Sequence, residues 1–390
     1  MRFSRAERAH VVDWWLTADR TLLALILTLA ATGLAASLIA TPSTAYHLKG
    51  DPFYFAERHA IGMAVAMLAM FSVSLLSPGG VKRFALVLFV GGVALMILAL
   101  LQGVERNGAT RWLILAGTHV QPSEFAKPGF VVLCAWAFAE SVKRPDMPAF
   151  ELALAMLFVF VLLLVLQPDV GQAIIAASVW CGLLFLAGYS LRLLPLFLVP
   201  GVLGLTLAYY TMPHFAARLD LFAKGAGESL QTSVALNAFR EAGWFGHGLG
   251  EGFTKTRLPD AHNDFVLAAI AEEAGIAACL FLILIYGLIV WRVLKNAYRE
   301  HDAFIRLAAA GLVMIFGFQA LVNMAVNLNL LPAKGVTLPF VSYGRSSLIA
   351  SAITLGMIVA LTRRPAARHI RPASQGLSGL TAASGREGRL

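Results

Sequence analysis

Charge is what this sequence has least of. Only 14% of its residues are Asp, Glu, Lys or Arg, against 58% hydrophobic, and the mean hydropathy is +0.74. So few charges cannot cover a water-exposed globular surface, which excludes an ordinary soluble domain. Cysteine is also scarce: Cys134, Cys181 and Cys279 each fall inside an apolar run. That placement argues against a disulfide framework or a thiolate metal site. The net charge is +9, yet no basic run interleaved with aromatics occupies an extramembrane segment long enough to fold, so nucleic acid is not an expected partner. The chain also lacks a convincing internal repeat, which weakens an inverted-repeat transporter reading.

In place of these features, apolar runs recur along the chain, each long enough to cross a hydrocarbon core of roughly 30 Å. The expected spans are 20–41, 57–77, 84–102, 125–141, 150–166, 170–187, 191–210, 265–291, 304–326 and 343–362. The expected fold is all-α and integral to the membrane, with about ten transmembrane helices and one long external loop, 211–264, between spans seven and eight. Residues 1–19 form a cytoplasmic N-terminal segment, and 20–364 one polytopic membrane domain. Residues 365–390, rich in Gly, Ser, Ala and Arg, read as a disordered cytoplasmic tail. The run from Thr21 to Ala40 follows Arg2, Arg5, Arg8 and Arg20, but it is long enough to span and is read as an anchor rather than a cleaved signal.

Orientation explains the positive charge. With the N-terminus inside, 19 Lys and Arg are cytoplasmic and 12 external, and five of the 12 lie in the long loop, where the positive-inside bias hardly counts. Both termini are thus expected in the cytoplasm.

Polar residues concentrate in a few places in the external layer. Asn107-Gly108-Ala109-Thr110-Arg111-Trp112 precedes Gln121-Pro122-Ser123-Glu124-Phe125-Ala126-Lys127. Ser123 and Glu124 suit a plain helix start, but Lys127, one turn into a span, must be paired or face water. Gln167-Pro168-Asp169 forms the tip of a tight hairpin, for which a turn is a sufficient explanation. The strongest stretch runs Gly246-His247-Gly248-Leu249-Gly250-Glu251-Gly252 and on through Lys255, Arg257 and Leu258-Pro259-Asp260-Ala261-His262-Asn263-Asp264-Phe265. No strand precedes the glycines, so a nucleotide loop is not indicated. Asn263 or Asp264 can simply cap the eighth span. Glu272 and Glu273 follow about 12 Å deeper at 1.5 Å per residue. Two carboxylates at that depth indicate a polar cavity rather than lipid. Asn323 and Asn327, one turn apart, suit interhelical hydrogen bonds. The loop from Leu330 to Gly344 alternates Pro, Gly and apolar residues, as a re-entrant or interface-hugging segment would.

In this order, Gly-Ala-x-Arg-Trp, Gln-Pro-Ser-Glu-x-x-Lys, Gln-Pro-Asp-x-Gly, Gly-x-Gly-x-Gly before Leu-Pro-Asp-Ala-His-x-Asp-Phe, and Pro-Phe-Val-Ser-Tyr-Gly resemble the SEDS family of cell-wall polymerases from Arg20 to Arg364. The resemblance implies polymerisation of lipid II, an undecaprenyl-diphosphate-linked disaccharide-pentapeptide, on the external face of the bacterial inner membrane. It implies a class B penicillin-binding protein as crosslinking partner, with other division-complex membrane proteins. It assigns catalysis to Asp264. Thr110, Gln172, Asn263 and Arg345 depart from the usual pattern, Arg345 standing where a second Gly is common.

Joining a sugar hydroxyl to an anomeric carbon with diphosphate leaving needs a base and compensation for negative charge, but no general acid. The expected base is Asp264. The substrate-binding set is Arg111, Lys127, Lys255, Arg257 and His262, supported by Glu124, Asp169, Glu273, Lys334 and Ser342. Mg²⁺ or Mn²⁺ bridging diphosphate oxygens is a further expectation, with its protein ligands unassigned. Rival readings are a lipid II flippase, whose charges should sit near the midplane, and a non-catalytic scaffold. Within the family, Lys334-Gly335-Val336-Thr337-Leu338-Pro339 resembles the division branch, FtsW, rather than the elongation branch, RodA. A division-type protein is expected at the septum.

Overall fold

The computed structural model describes residues 12–48, 54–106, 109–115, 117–144, 146–223, 230–248, 252, 264–332 and 335–363. Helices cover each of the expected spans: α1 (Arg20–Leu48), α2 (Tyr54–Ser74), α3 (Pro78–Gln102), α4 (Pro122–Lys143), α5 (Ala149–Leu166), α6 (Val170–Leu186), α7 (Leu194–Thr211), α10 (Val266–Tyr298), α11 (Ala303–Asn327) and α12 (Arg345–Thr362). Two further helices, α8 (Pro213–Ala223) and α9 (Leu230–Glu241), lie within the stretch expected to be a loop. Both are amphipathic rather than apolar, so a search for membrane-length runs passes over them.

Among the described residues, seven helices are long and apolar enough to cross a membrane, and Val170–Leu186 and Pro195–Thr211 are shorter apolar helices. Helix α4 is not one of the seven, since Glu124 and Lys127 in its first turns dilute its apolar character. The bundle differs from a soluble protein in its apolar outer surface, and its largely apolar core also encloses charged and amide side chains. Leu196, Leu198, Val202, Leu203 and Leu207 of α7 are exposed, whereas Glu124, Lys127, Asp169, Glu272, Glu273, Asn323 and Asn327 are buried. Apolar side chains outward and paired polar groups inward are what lipid demands. The chain is thus an all-helical integral membrane protein apart from one small sheet.

That sheet was not legible as strands. β1 (Val104–Arg106), β2 (Ala109–Leu115) and β3 (Thr118–Val120) pair antiparallel in the order β1-β2-β3, with Leu113 opposite Val120 and Leu115 opposite Thr118. It covers the connection between α3 and α4, and it presents Arg111 to the bundle end.

Small residues bring helices close where no hydrophobic gain drives them together. A Cβ on Gly92 of α3 would lie 2.7 Å from the Ala126 Cβ of α4, and one on Gly129 of α4 would lie 2.6 Å from the Ala85 carbonyl of α3. At the other end of the bundle Asp19 receives two hydrogen bonds from Arg292 (2.8 and 3.1 Å) and one from Asn296 (2.8 Å), joining the start of α1 to the end of α10. Burial alone would raise the Asp19 carboxyl. The bonds from Arg292, Asn296 and the Leu22 N–H outweigh it and hold the group below the usual carboxylate range.

Helix α10 is broken. Gly275 has φ 83° and ψ 176°, a backbone closed to residues with a side chain. The turn 242–248 occupies the break. His247 and Gly248 donate their N–H groups to the Glu272 and Glu273 carbonyls (2.9 and 3.2 Å), while Ile276 and Ala277 donate to the Gly243 and Trp244 carbonyls (3.1 and 3.2 Å). Main-chain groups that an unbroken helix would pair internally are therefore paired with the turn, as a low-dielectric setting requires.

Candidate active site

Because successive helices reverse direction, α2, α4, α6, α10 and α12 all begin at one end of the bundle, and every described candidate of the expected site lies toward that end. Arg111 on β2 reaches the α5–α6 hairpin tip. Its Nε donates to the Gln167 carbonyl at 3.0 Å, one Nη donates to the Pro168 carbonyl, and the other lies 3.5 Å from Asp169 Oδ1. Gln121 donates to the second Asp169 oxygen at 3.2 Å. Asp169 occupies the N-cap position of α6, at the hairpin tip, and its carboxylate also meets Arg111 and Gln121. Burial raises that carboxyl, and Arg111 pulls it the other way.

A second knot lies one turn inside α4. Lys127 Nζ donates to Glu124 Oε1 at 2.8 Å, Gln172 Oε1 at 3.0 Å and Gln319 Oε1 at 3.1 Å, and Gln172 also donates to Glu124 at 3.1 Å. Lys127 is 3% exposed and Glu124 4%. An ammonium has three donors, and here each meets an oxygen of the protein. Its head group ties α4, α6 and α11 together. The helix-start reading of this stretch shifts. The N-cap of α4 is Gln121, Pro122 follows it, and the buried Ser123 hydroxyl has no hydrogen-bond partner among the described residues.

The third element is Asp264. The N-cap of α10 is Phe265, and Asp264 immediately precedes it. Its main-chain carbonyl accepts from Asn323 at 3.0 Å and Asn327 at 2.9 Å. Asn323 also donates to the Val336 carbonyl at 2.6 Å, and Asn327 accepts from the Ala268 N–H at 3.3 Å. The two Asn residues therefore clamp both the start of α10 and the loop after α11. A Cβ on Gly335 would stand 3.8 Å from Asp264 Oδ2, so that loop passes beside the carboxylate. The loop dips inward, as its composition predicts: Leu338, Phe340, Val341 and Ser342 are buried, Ser342 Oγ accepts from the Leu338 N–H at 2.8 Å, and Tyr286 donates to the Pro339 carbonyl.

Glu272 and Glu273 are both buried, with Gly252 packed against the Glu272 carboxylate. Lys255, Arg257, His262 and Lys334, and the tail from 365, lie outside the described residues. Sequence reasoning did not place Gln319, Asn323 and Asn327 in the site. Their signal was available: three amides four residues apart form one stripe on an otherwise apolar helix.

A profile for FtsW, RodA and SpoVE, described as "Cell cycle protein", matches residues 19–366. The chain belongs to the FtsW/RodA/SpoVE family. A family member from Caulobacter vibrioides, named a probable peptidoglycan glycosyltransferase FtsW, is 38% identical over 384 residues, 97% of this chain and 96% of that one. Another of that name from Alcanivorax borkumensis is 36% identical and covers 87% and 92% of the two chains. A chain in the solved structure titled "Structural coordination of polymerization and crosslinking by a peptidoglycan synthase complex" is 27% identical, with a TM-score of 0.74 over 89% of this chain and 98% of that one. The rod shape determining protein RodA of Thermus thermophilus is also 27% identical, with a TM-score of 0.66 over 89% and 97%. In this FtsW/RodA/SpoVE chain the clamp on Asp264, the Arg111–Asp169 contact and the Lys127 knot thus sit on the family's shared helical frame.

Proposed function

We propose that this protein is a peptidoglycan glycosyltransferase that polymerises lipid II at the external face of the bacterial inner membrane during cell division. The observation that carries the chemistry is the placement of Asp264 at the start of α10, its main-chain carbonyl clamped by Asn323 and Asn327 and the loop after α11 passing beside its carboxylate. Family membership and the FtsW-named relatives support the reaction class and the division branch.

Asp264 takes the proton from the acceptor sugar's 4-hydroxyl as that oxygen bonds to the donor's anomeric carbon and the diphosphate leaves with the bonding electrons. A single displacement inverts the anomeric centre. Positive charge for the departing diphosphate comes from Arg111 and from Lys255 and Arg257 of the loop that ends at Asp264, with His262 of that loop orienting the substrate. Glu124, Asp169, Glu273, Lys334 and Ser342 keep supporting roles. Lys127 acts by position, holding α4, α6 and α11 in register through Glu124, Gln172 and Gln319.

Among the described residues no three His, Cys, Asp or Glu side chains converge on a metal site. Mg²⁺ suits a setting with one or two carboxylates and phosphate oxygens. Asp264 with the diphosphate fits that mode, for Mg²⁺ or Mn²⁺. The ion, when bound, neutralises charge on the leaving group.

The topology that goes with this reading has ten helices crossing the membrane, residues 1–19 and 365–390 in the cytoplasm, and 211–264 outside, at the septum. A class B penicillin-binding protein is the partner, since the structural relative belongs to a complex that couples polymerization and crosslinking; further division-complex membrane proteins join them. A flippase is the second reading. It is disfavoured because Arg111, Asp169, Lys127 and Asp264 gather toward one end of the bundle rather than at its middle. The test is incubation of the purified protein, with its penicillin-binding partner, with labelled lipid II. Glycan strands longer than the disaccharide are expected; unreacted lipid II would refute the enzymatic reading. For topology, a cysteine at Gly225 should react with an impermeant maleimide in spheroplasts with an intact inner membrane.

A further inference from the structure

The reaction above leaves a cluster unused where α2 meets the start of α12. Arg345 is the first residue of α12, after the N-cap Gly344. A cation is disfavoured there, because the first turn of a helix already carries partial positive charge. Its stem crosses Gly62 of α2, with Cγ 3.9 Å from where a Cβ would stand, and an Nη lies 3.5 Å from Thr118 Oγ1 on β3. No carboxylate among the described residues forms an ion pair with it. A half-buried cation at a like-charged helix end, with no acidic partner in the described structure, calls for an anion.

A second observation points to the same corner. His59, three residues before Gly62, shares its helix face. It is 1% exposed, and its Nε2 has no hydrogen-bond partner among the described residues. Its ring lies 6.3 Å from that of Tyr343, two residues before Arg345. In α12 the first amide bonded within the helix is that of Leu348, to the Gly344 carbonyl at 2.8 Å, which leaves the earlier amides directed out of the helix end.

We propose that Arg345, His59 and the first amides of α12 form a binding site for a phosphate-bearing anion. Arg345 supplies the fixed charge and a planar fork of donors, His59 a buried ring nitrogen, and the helix end its main-chain donors. Toward the bundle end where lipid headgroups lie, the chemistry suits a lipid phosphate ester or a free diphosphate. The inference is independent of the glycosyl-transfer reading, because binding is measured without turnover.

Native mass spectrometry of the full chain, released from micelles containing equal phosphatidylglycerol and phosphatidylcholine, tests it. Wild type should retain phosphatidylglycerol preferentially, and Arg345→Gly should lower that retention about tenfold, the worth of one charge-assisted pair. Arg345→Lys should lie between them, because charge without the fork recovers only part. Arg345→Gln serves the same purpose should the Gly variant melt earlier than wild type. Displacement of the lipid by millimolar inorganic pyrophosphate identifies a site that also takes free diphosphate, and no displacement identifies a lipid-only site. Equal phosphatidylglycerol retention by wild type, Arg345→Gly and Arg345→Gln overturns the proposal, as does equal loss of both lipids.

Discussion

Asp264→Asn should abolish glycan polymerisation, with a loss of at least about 10²–10⁴-fold, the usual worth of a positioned base. The amide preserves shape but cannot accept the acceptor's proton. The anchors at this position hold the main-chain carbonyl, through Asn323 and Asn327, and the substitution leaves that carbonyl in place. The variant should therefore melt within a few degrees of wild type and still co-purify with the penicillin-binding partner. Glycan formation near the wild-type rate would rule out Asp264 as the base. Lost activity together with an early melt would instead mean that the carboxylate serves the fold.

The second large effect is expected inside the bundle. Lys127→Met removes three hydrogen bonds and leaves the Glu124 carboxylate buried without its cation. Breaking a buried pair from one side costs about 3–5 kcal/mol, enough to shift the melting temperature strongly in detergent. Adding Glu124→Gln to that variant removes the stranded charge and should recover part of the loss, although Gln172 and Gln319 still lack their donor. If Lys127→Met melts like wild type and only substrate use falls, the ammonium meets substrate directly and the knot is not structural.

These two residues show what a sequence discloses and what it withholds. The helices were readable because a chain in lipid must pair its backbone internally and turn apolar side chains outward, and both demands leave long apolar runs. The burial of Lys127, Glu272 and Glu273 in a polar interior was readable because ionisable groups within a span are expensive unless paired or facing a cavity. Their partners were not. Nothing near Lys127 in the sequence announces Gln319, 192 residues away, which accepts from it. Asn323 and Asn327 looked like ordinary interhelical glue, and only the fold brings the Asp264 carbonyl to them. The strands around Arg111 are too short for their period to rise above their surroundings. The break in α10 was hidden for a different reason: Ala274-Gly275-Ile276 is unremarkable in an apolar helix, and the main-chain partners that permit the break come from a separate segment.

That break also bears on how the molecule is made. The turn 242–248 leaves the ribosome before Gly275 does, so the groups that will receive the broken helix are synthesised first. The helix from Ile276 is long and apolar enough to insert as an ordinary hydrophobic segment, and the residues before the break meet a turn that is already made. Asp264 itself waits longer, because the amides that hold its main-chain carbonyl, Asn323 and Asn327, lie 59 and 63 residues further along the chain.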